Sequence, residues 1–213
     1  MNQLKKEFTV AFQLSSVSRY SRDHLLKPES VLEHTGFCLV YAAFLVDRLE
    51  NAGMTVLRSV LFKNIAFHDI DEAILGDIPR TTKYFSDDLR GELKKVESET
   101  IHRLDKWLHS RIEAPWRAAK HGDEGAILRV VDLAAVVYKN WTEVVLLRNR
   151  SFLRVCVETQ RYLEEINMLE FNHLLQFEIE ELKKLNKEIL DTFVPTEEDM
   201  MFIRMQEVGH DPE

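Results

Sequence analysis

His68 and Asp69 stand side by side at the end of an apolar run, and Glu72 follows one helical turn after His68. A neutral imidazole beside a carboxylate suits a borderline or hard divalent cation. The same pair can also close a helix, with the aspartate as a cap. Asp132 lies within the most apolar stretch of the chain, Ala126 to Val137. Aspartate is almost never fully buried unless it is paired or bound to a metal. Asp132 is therefore a ligand, a partner of Lys139 or Arg129, or a member of a helix face less buried than its neighbours suggest. His34, preceded by Glu33, stands at the start of the first strongly helical run, where it can be a ligand or a satisfied core or cap residue. The order of these residues says more than any one of them: His34, then His68-Asp69 after 34 residues, then Asp132 after a further 63. A Gly-rich phosphate loop, a Cys-x-x-Cys pair, a His-Glu-x-x-His helix and a Gly-x-Ser-x-Gly elbow are all missing.

The elements that must hold these residues are helical. Glycine (7) and proline (5) together make up 12 of 213 residues, about half their usual share, which favours long helices over a turn-rich sandwich or propeller. Ser30 with Glu33 three residues later has capping-box spacing. The helix it opens, about Val31 to Glu50, carries Phe37, Val40, Tyr41, Phe44, Leu45 and Leu49 on one stripe. A second helix is expected from about Thr55 to Asp69, then a turn at Gly76-Asp77-Ile78-Pro79. From about Asp87 to Ser110 a thin apolar stripe predicts a surface helix or helix pair. His121-Gly122-Asp123 reads as a loop, with Asp123 as the cap of the next helix. Ala126 to Val137, apolar on nearly every face, predicts a buried central helix. A long amphipathic stretch runs from about Phe152 to Leu190 and stops at Pro195.

Composition narrows the partners. The net charge, 28 − 36 = −8, has the wrong sign for coating duplex DNA or an anionic membrane. Cys38 and Cys156 make no disulfide framework and fit a reducing compartment. No stretch approaches the roughly 18 apolar residues that span a bilayer, and the N-terminus has no apolar signal core. A soluble cytoplasmic protein without a nucleic-acid polymer or membrane partner is expected.

The ordered set His34, His68-Asp69 and Asp132 on successive helices resembles the HD-domain metal-dependent phosphohydrolase superfamily. Several segments resemble its bacterial 5′-deoxynucleotidase branch: Arg19-Tyr20-Ser21, the run from Lys27 to His34, the run from His68 to Pro79, and Lys83-Tyr84-Phe85. Lys139 and Glu143, seven and eleven residues after Asp132, add to the likeness, which covers roughly residues 10 to 195. It implies an all-α fold, a single HD-domain helical bundle over 1–195 with a buried central metal-binding helix. The tail, 196–213, lies outside the likeness; its Met200, Met201, Phe202 and Met205 suggest a short docking helix.

By that resemblance, His34, His68, Asp69 and Asp132 would hold one divalent cation, and Mn, Co, Mg, Fe and Zn are not distinguished. Glu72 would be the general acid/base and Arg19 would pair with the substrate phosphate. Asp77 would sit near the sugar 3′-hydroxyl, with Ile78, Pro79 and Arg80 alongside. Tyr20 stands where the branch has Trp; being smaller and hydroxylated, it implies a looser exclusion of a ribose 2′-hydroxyl. Arg80 and Lys83 add cations that could serve a longer phosphate chain. The implied function is metal-dependent hydrolysis of deoxyribonucleoside 5′-monophosphates to deoxynucleoside and phosphate. Alternatives are a dATP-type deoxynucleoside triphosphate triphosphohydrolase, as in compact phage enzymes, and an inactive nucleotide-binding HD module. A cyclic-nucleotide phosphodiesterase fits less well, since the segments around His102, His109 and His121 do not match that branch. A homodimer is left open.

Overall fold

The computed structural model describes residues 2–83, 85–193 and 197, with only the backbone described at Arg80 and Thr81. These residues form ten α-helices: α1 Gln3–Ser16, α2 Val31–Asn51, α3 Arg58–Phe67, α4 Glu72–Leu75, α5 Arg80–Lys83, α6 Asp87–Leu108, α7 Glu113–Ala118, α8 Gly122–Asn140, α9 Leu153–Glu165 and α10 His173–Asp191. Among them there is no extended strand; the one β-bridge joins Ser18 to Ser30. No helix of the described residues is long and apolar enough to cross a membrane. The all-α fold expected from the sequence is the fold observed. The expected docking helix of the tail and the stop at Pro195 fall outside the described residues.

Helix α8 is the central element. Ile127, Val130, Val131, Ala134, Ala135 and Val137 along it are buried. They pack with Leu45, Val46 and Leu49 of α2, Leu61 and Ile65 of α3, Cys156 and Leu163 of α9, and Leu175 and Ile179 of α10. A second apolar cluster joins Val10 and Leu14 of α1, Ile101, Leu104 and Leu108 of α6, and Trp116 of α7 to Val31, Ile70 and Ala73. The residues picked out for chemistry lie where the two clusters meet, because Val31 and Ile70 belong to one and Cys38 and Ile65 to the other.

Local chemistry explains most of the boundaries. The capping box at Ser30 is formed: Glu33 N–H donates to the Ser30 hydroxyl at 3.2 Å, and Ser30 N–H donates to the Glu33 carboxylate at 2.8 Å. Gly76 closes α4 with φ of 75°, a left-handed conformation that costs glycine little.

Several expectations are corrected. On α2 the expected stripe is only half interior: Leu45 and Leu49 are buried, while Val40 and Phe44 are 59% and 62% exposed. The inward face is Val31, His34, Thr35, Cys38, Ala42, Leu45, Val46 and Leu49. The helix is apolar on two adjacent faces, and periodicity cannot rank them. Helix α3 is shorter than expected at both ends. The charged stretch is one helix, α6, not a pair. Asp123 is not the cap of α8; His121 holds that position, and Asp123 sits in the first turn, where a carboxylate favours the helix dipole. The stretch from Phe152 to Leu190 is two helices, because the chain turns at Ile166 and restarts at Asn172, whose side chain caps Leu174 and Leu175. Helices α1 and α7 had no counterpart in the sequence pattern.

Candidate metal centre and substrate cleft

Three segments bring the four proposed ligands together. The capping box fixes the first turn of α2 and sets His34 on its inward face. Helix α3 ends at Phe67, so His68 and Asp69 lie in the turn beyond it, and Asp69 C=O accepts Glu72 N–H at 3.1 Å as α4 begins. Helix α8 supplies Asp132. His34 Nε2 lies 3.4 Å from His68 Nε2, 3.1 Å from Asp132 Oδ1 and 3.7 Å from Asp69 Oδ2, and His68 Nε2 lies 3.0 Å from Asp69 Oδ2. Metal–donor bonds of about 2.1 Å at angles between 90° and tetrahedral put neighbouring donors about 3.0–3.4 Å apart. The His34–His68, His34–Asp132 and His68–Asp69 distances fall in this range and His34–Asp69 lies beyond it; two imidazoles and two carboxylates are donor types that suit a divalent ion.

The imidazole of His68 is also oriented for this. Its Nδ1 lies 2.7 Å from Ile65 C=O, which can only accept, so Nδ1 carries a proton and Nε2, turned toward Asp69, is the nitrogen a metal would take once its own proton is lost. Asp132 proves less buried than its apolar helix suggested: its side chain is 45% exposed, while His34 is buried. Burial alone would lower the His68 pKa, but the Asp69 charge and hydrogen bond, with Asp132 and the Ile65 carbonyl, hold it up at about 9. Burial would likewise raise Asp69; His68, His34 and Arg19 outweigh it and keep that carboxyl well below the usual range.

Arg19 is carried to the centre by the chain before α2. Its N–H donates to Glu29 C=O at 2.9 Å, and Val31 N–H donates to Val17 C=O at 3.0 Å, which pins residues 17–31 as a closed loop. The Arg19 guanidinium then reaches Asp69 Oδ2 at 3.3 Å and Glu29 Oε1 at 3.6 Å, with its Nε buried and without a hydrogen bond among the described residues. Tyr20 is held in the left-handed region at φ 55°, uncommon for a bulky residue. Its N–H donates to Asp77 Oδ2 at 3.2 Å and its ring meets Phe152 edge-on at 5.4 Å.

Glu72 is buried, its Oε1 3.8 Å from Lys83 Nζ and its Oε2 without a hydrogen bond among the described residues. Burial and the nearby Asp69 charge push its pKa up to about 9. Lys83, expected to serve outer phosphates, stands beside Glu72 and 4.0 Å from Glu97. Ile78 and Pro79 are half-buried between Asp77 and α5. The Arg80 side chain falls outside the described residues.

Sequence reasoning passed over three contributors. Glu29 lies 3.8 Å from His34 Nδ1 as well as beside Arg19. Cys38, four residues after His34, puts Sγ 3.6 Å from His34 Nε2; the i, i+4 spacing was the available signal. Glu97 reaches Lys83 from α6, which no local pattern announces.

Two imidazoles and two carboxylates thus converge from α2, the turn after α3 and α8 of an all-α fold. A family model described as 5′-deoxynucleotidase YfbR-like matches residues 7–182, and the chain belongs to that family. It is 22% identical over 171 residues to a 5′-deoxynucleotidase of Erwinia tasmaniensis, covering 77% of this chain and 85% of that one. It is 24% identical over 170 residues to a 5′-deoxynucleotidase of Vibrio cholerae, covering 77% and 87%. A solved protein of Pyrococcus horikoshii shares the fold with a TM-score of 0.70 at 22% identity, covering 85% of this chain and 99% of that one. The HD phosphohydrolase of cyanophage S-2L, solved bound to dA and one catalytic zinc ion, superposes with a TM-score of 0.57 at 16% identity, covering 84% and 95%.

Proposed function

We propose that this chain hydrolyses deoxyribonucleoside 5′-monophosphates to deoxynucleoside and phosphate, with one divalent metal ion held by His34, His68, Asp69 and Asp132. The observation that carries the reading is the convergence of those donors, at 3.0–3.7 Å, beside a buried carboxyl, Glu72, that has one oxygen without a hydrogen bond among the described residues. The bound ion would neutralise phosphate charge and lower the pKa of a coordinated water.

The chain's own residues do the rest. Arg19 contacts the phosphate next to the sugar through the face of its guanidinium not engaged by Asp69, a fork suited to two phosphate oxygens. Glu72 is a carboxyl kept protonated by its surroundings, and it donates that proton to the 5′-oxygen as the P–O bond breaks. Lys83, its Nζ 3.8 Å from Glu72 Oε1, holds that carboxyl in place. Asp77, fixed by the Tyr20 N–H, accepts from the sugar 3′-hydroxyl. The Tyr20 ring, braced by Phe152, sets the space available beside C2′.

A panel of deoxy- and ribonucleoside mono-, di- and triphosphates, assayed with Mn, Co, Mg and Zn for both phosphate and triphosphate, tests the reading. Phosphate release from deoxynucleoside monophosphates is expected. Triphosphate release from a deoxynucleoside triphosphate, with monophosphates inert, would replace the reading with a triphosphohydrolase.

A further inference from the structure

The φ of 55° at Tyr20 is costly for a bulky side chain and persists only where the surroundings over-determine it. Apart from Asp77, the contacts that do so come from the segment leading into α9. Asp23 N–H donates to Tyr20 C=O at 2.9 Å and closes a turn over residues 20–23. The Asp23 carboxylate, 11% exposed, is ion-paired to the guanidinium of Arg154, which also donates to Glu158 Oε1 at 2.7 Å. Two residues before Arg154, the buried Phe152 meets the Tyr20 ring edge-on at 5.4 Å. Asn149 Nδ2 donates to His24 C=O at 2.8 Å, one residue past the turn. The centre of the Tyr20 ring also lies 5.7 Å from the Arg19 guanidinium carbon, so the ring borders the arm assigned to the phosphate.

We propose that Asp23 and Arg154 are positioning residues for sugar selection: their ion pair holds Tyr20 in the left-handed conformation and so sets the space left beside C2′. The proposal rests on the sugar contact assigned to Tyr20 above. The direction of a Cα–Cβ bond follows the backbone, so a turn that relaxes to negative φ swings the ring from its present place and admits a 2′-hydroxyl. Phe152 and Arg154, two positions apart, grip the two ends of the turn, the ring at residue 20 and the carboxylate at residue 23. Phe152 braces the ring, and the ion pair fixes the backbone that carries it. A charge-assisted hydrogen bond, stronger than a neutral one, suits that task. Neither Asp23 nor Arg154 belongs to the metal centre, so the pair acts through Tyr20.

Catalytic efficiency for phosphate release from matched deoxy- and ribonucleoside 5′-monophosphates, measured on the full chain with Mn, Co, Mg and Zn in turn, tests this. The wild type is expected to prefer the deoxynucleotide by more than about fivefold. Asp23→Asn keeps the shape and removes the charge, and Arg154→Met removes the pair from the other side. Each should cut that ratio by at least about threefold, through a lower KM for the ribonucleotide. With Tyr20→Ala already in place, Asp23→Asn should move the ratio by less than about twofold, since no ring is left to position. A loosened fold alone lowers both substrates together and leaves the ratio where it was. A smaller cut in either variant, or an effect of Asp23→Asn that persists without the Tyr20 ring, overturns the proposal. So does a wild-type ratio below about fivefold with phosphate released from both sugars. That result leaves the nucleotidase reading standing and needs no variant to fold. No phosphate from any monophosphate overturns the nucleotidase reading and the proposal together.

Discussion

Glu143 offers the most demanding test of how this fold holds its site. It lies in a π-helical turn, Trp141–Leu146, that continues α8 and carries Thr142, Glu143 and Val144 inward. Its carboxylate accepts four hydrogen bonds: Leu26 N–H at 2.9 Å and Asn149 Nδ2 at 2.7 Å on Oε2, and Lys27 N–H at 3.0 Å and Lys139 Nζ at 3.0 Å on Oε1. Lys139, also buried, donates in addition to Lys27 C=O and lies 4.0 Å from Glu29. One buried charge pair therefore fastens the loop that carries Arg19 and Tyr20 onto the central helix. Glu143→Gln preserves volume but turns one oxygen into a donor facing two donors, and leaves Lys139 with the more distant Glu29, 4.0 Å away, as its counter-charge. Two lost bonds at about 1–3 kcal/mol each, with a buried ion left only a more distant partner, predict a loss of about 3–5 kcal/mol in unfolding free energy. For a chain of this size that lowers Tm by roughly 10 °C. The loss also depends on pH. Burial opposes ionisation of Glu143, but the bonds from Asn149, Leu26, Lys139 and Lys27 outweigh it and hold its pKa below the ordinary value. The stabilisation is thus complete above the unfolded pKa, about 4.3, and is lost as the pH falls through the lower folded value. Urea unfolding of wild type and variant at neutral and acid pH measures both effects, and the gap should narrow below about pH 4. A loss under about 1 kcal/mol at neutral pH, or a gap that widens in acid, would refute the argument.

Further outcomes follow from the same geometry. Asp69→Ala should lose the bound metal by elemental analysis and lose activity with it; full activity in the presence of a chelator would remove Asp69 from the ligand set. Glu72→Ala should keep metal and nucleotide binding while turnover falls by roughly 10²–10⁴-fold, and loss of the metal instead would make Glu72 a ligand. Arg19→Ala should abolish monophosphate hydrolysis, whereas Arg80→Ala should leave it within about threefold, a contact to outer phosphates alone being worth only about 1–3 kcal/mol and only for longer chains. Lys83→Met should lower kcat for the monophosphate by more than about tenfold because Lys83 borders Glu72, and an effect confined to triphosphates would place Lys83 further out along the cleft.

The types and order of the proposed ligands can be read from the sequence alone, because a histidine and a carboxylate keep their chemistry wherever the chain puts them. The central helix was legible for a related reason: a segment apolar on nearly every face has one favourable environment, and α8 occupies it. The capping box at Ser30 was equally plain, since its two hydrogen bonds span three residues and depend on nothing distant. Other features needed the folded chain. Which of two apolar faces of α2 turns inward was decided by α3 and α8 packing against the face of His34 and Cys38, leaving Val40 and Phe44 outside. The break between α9 and α10 comes without glycine or proline, at Ile166 to Asn172, where packing and an asparagine cap override a continuous amphipathic pattern. The pairing of Glu72 with Lys83, of Arg19 with Glu29 and Asp69, and of Glu143 with the backbone of Leu26 and Lys27 joins residues that are 11, 10, 50, 117 and 116 positions apart. A local pattern records what a residue can do; only the packed core sets the few ångströms that decide what it meets.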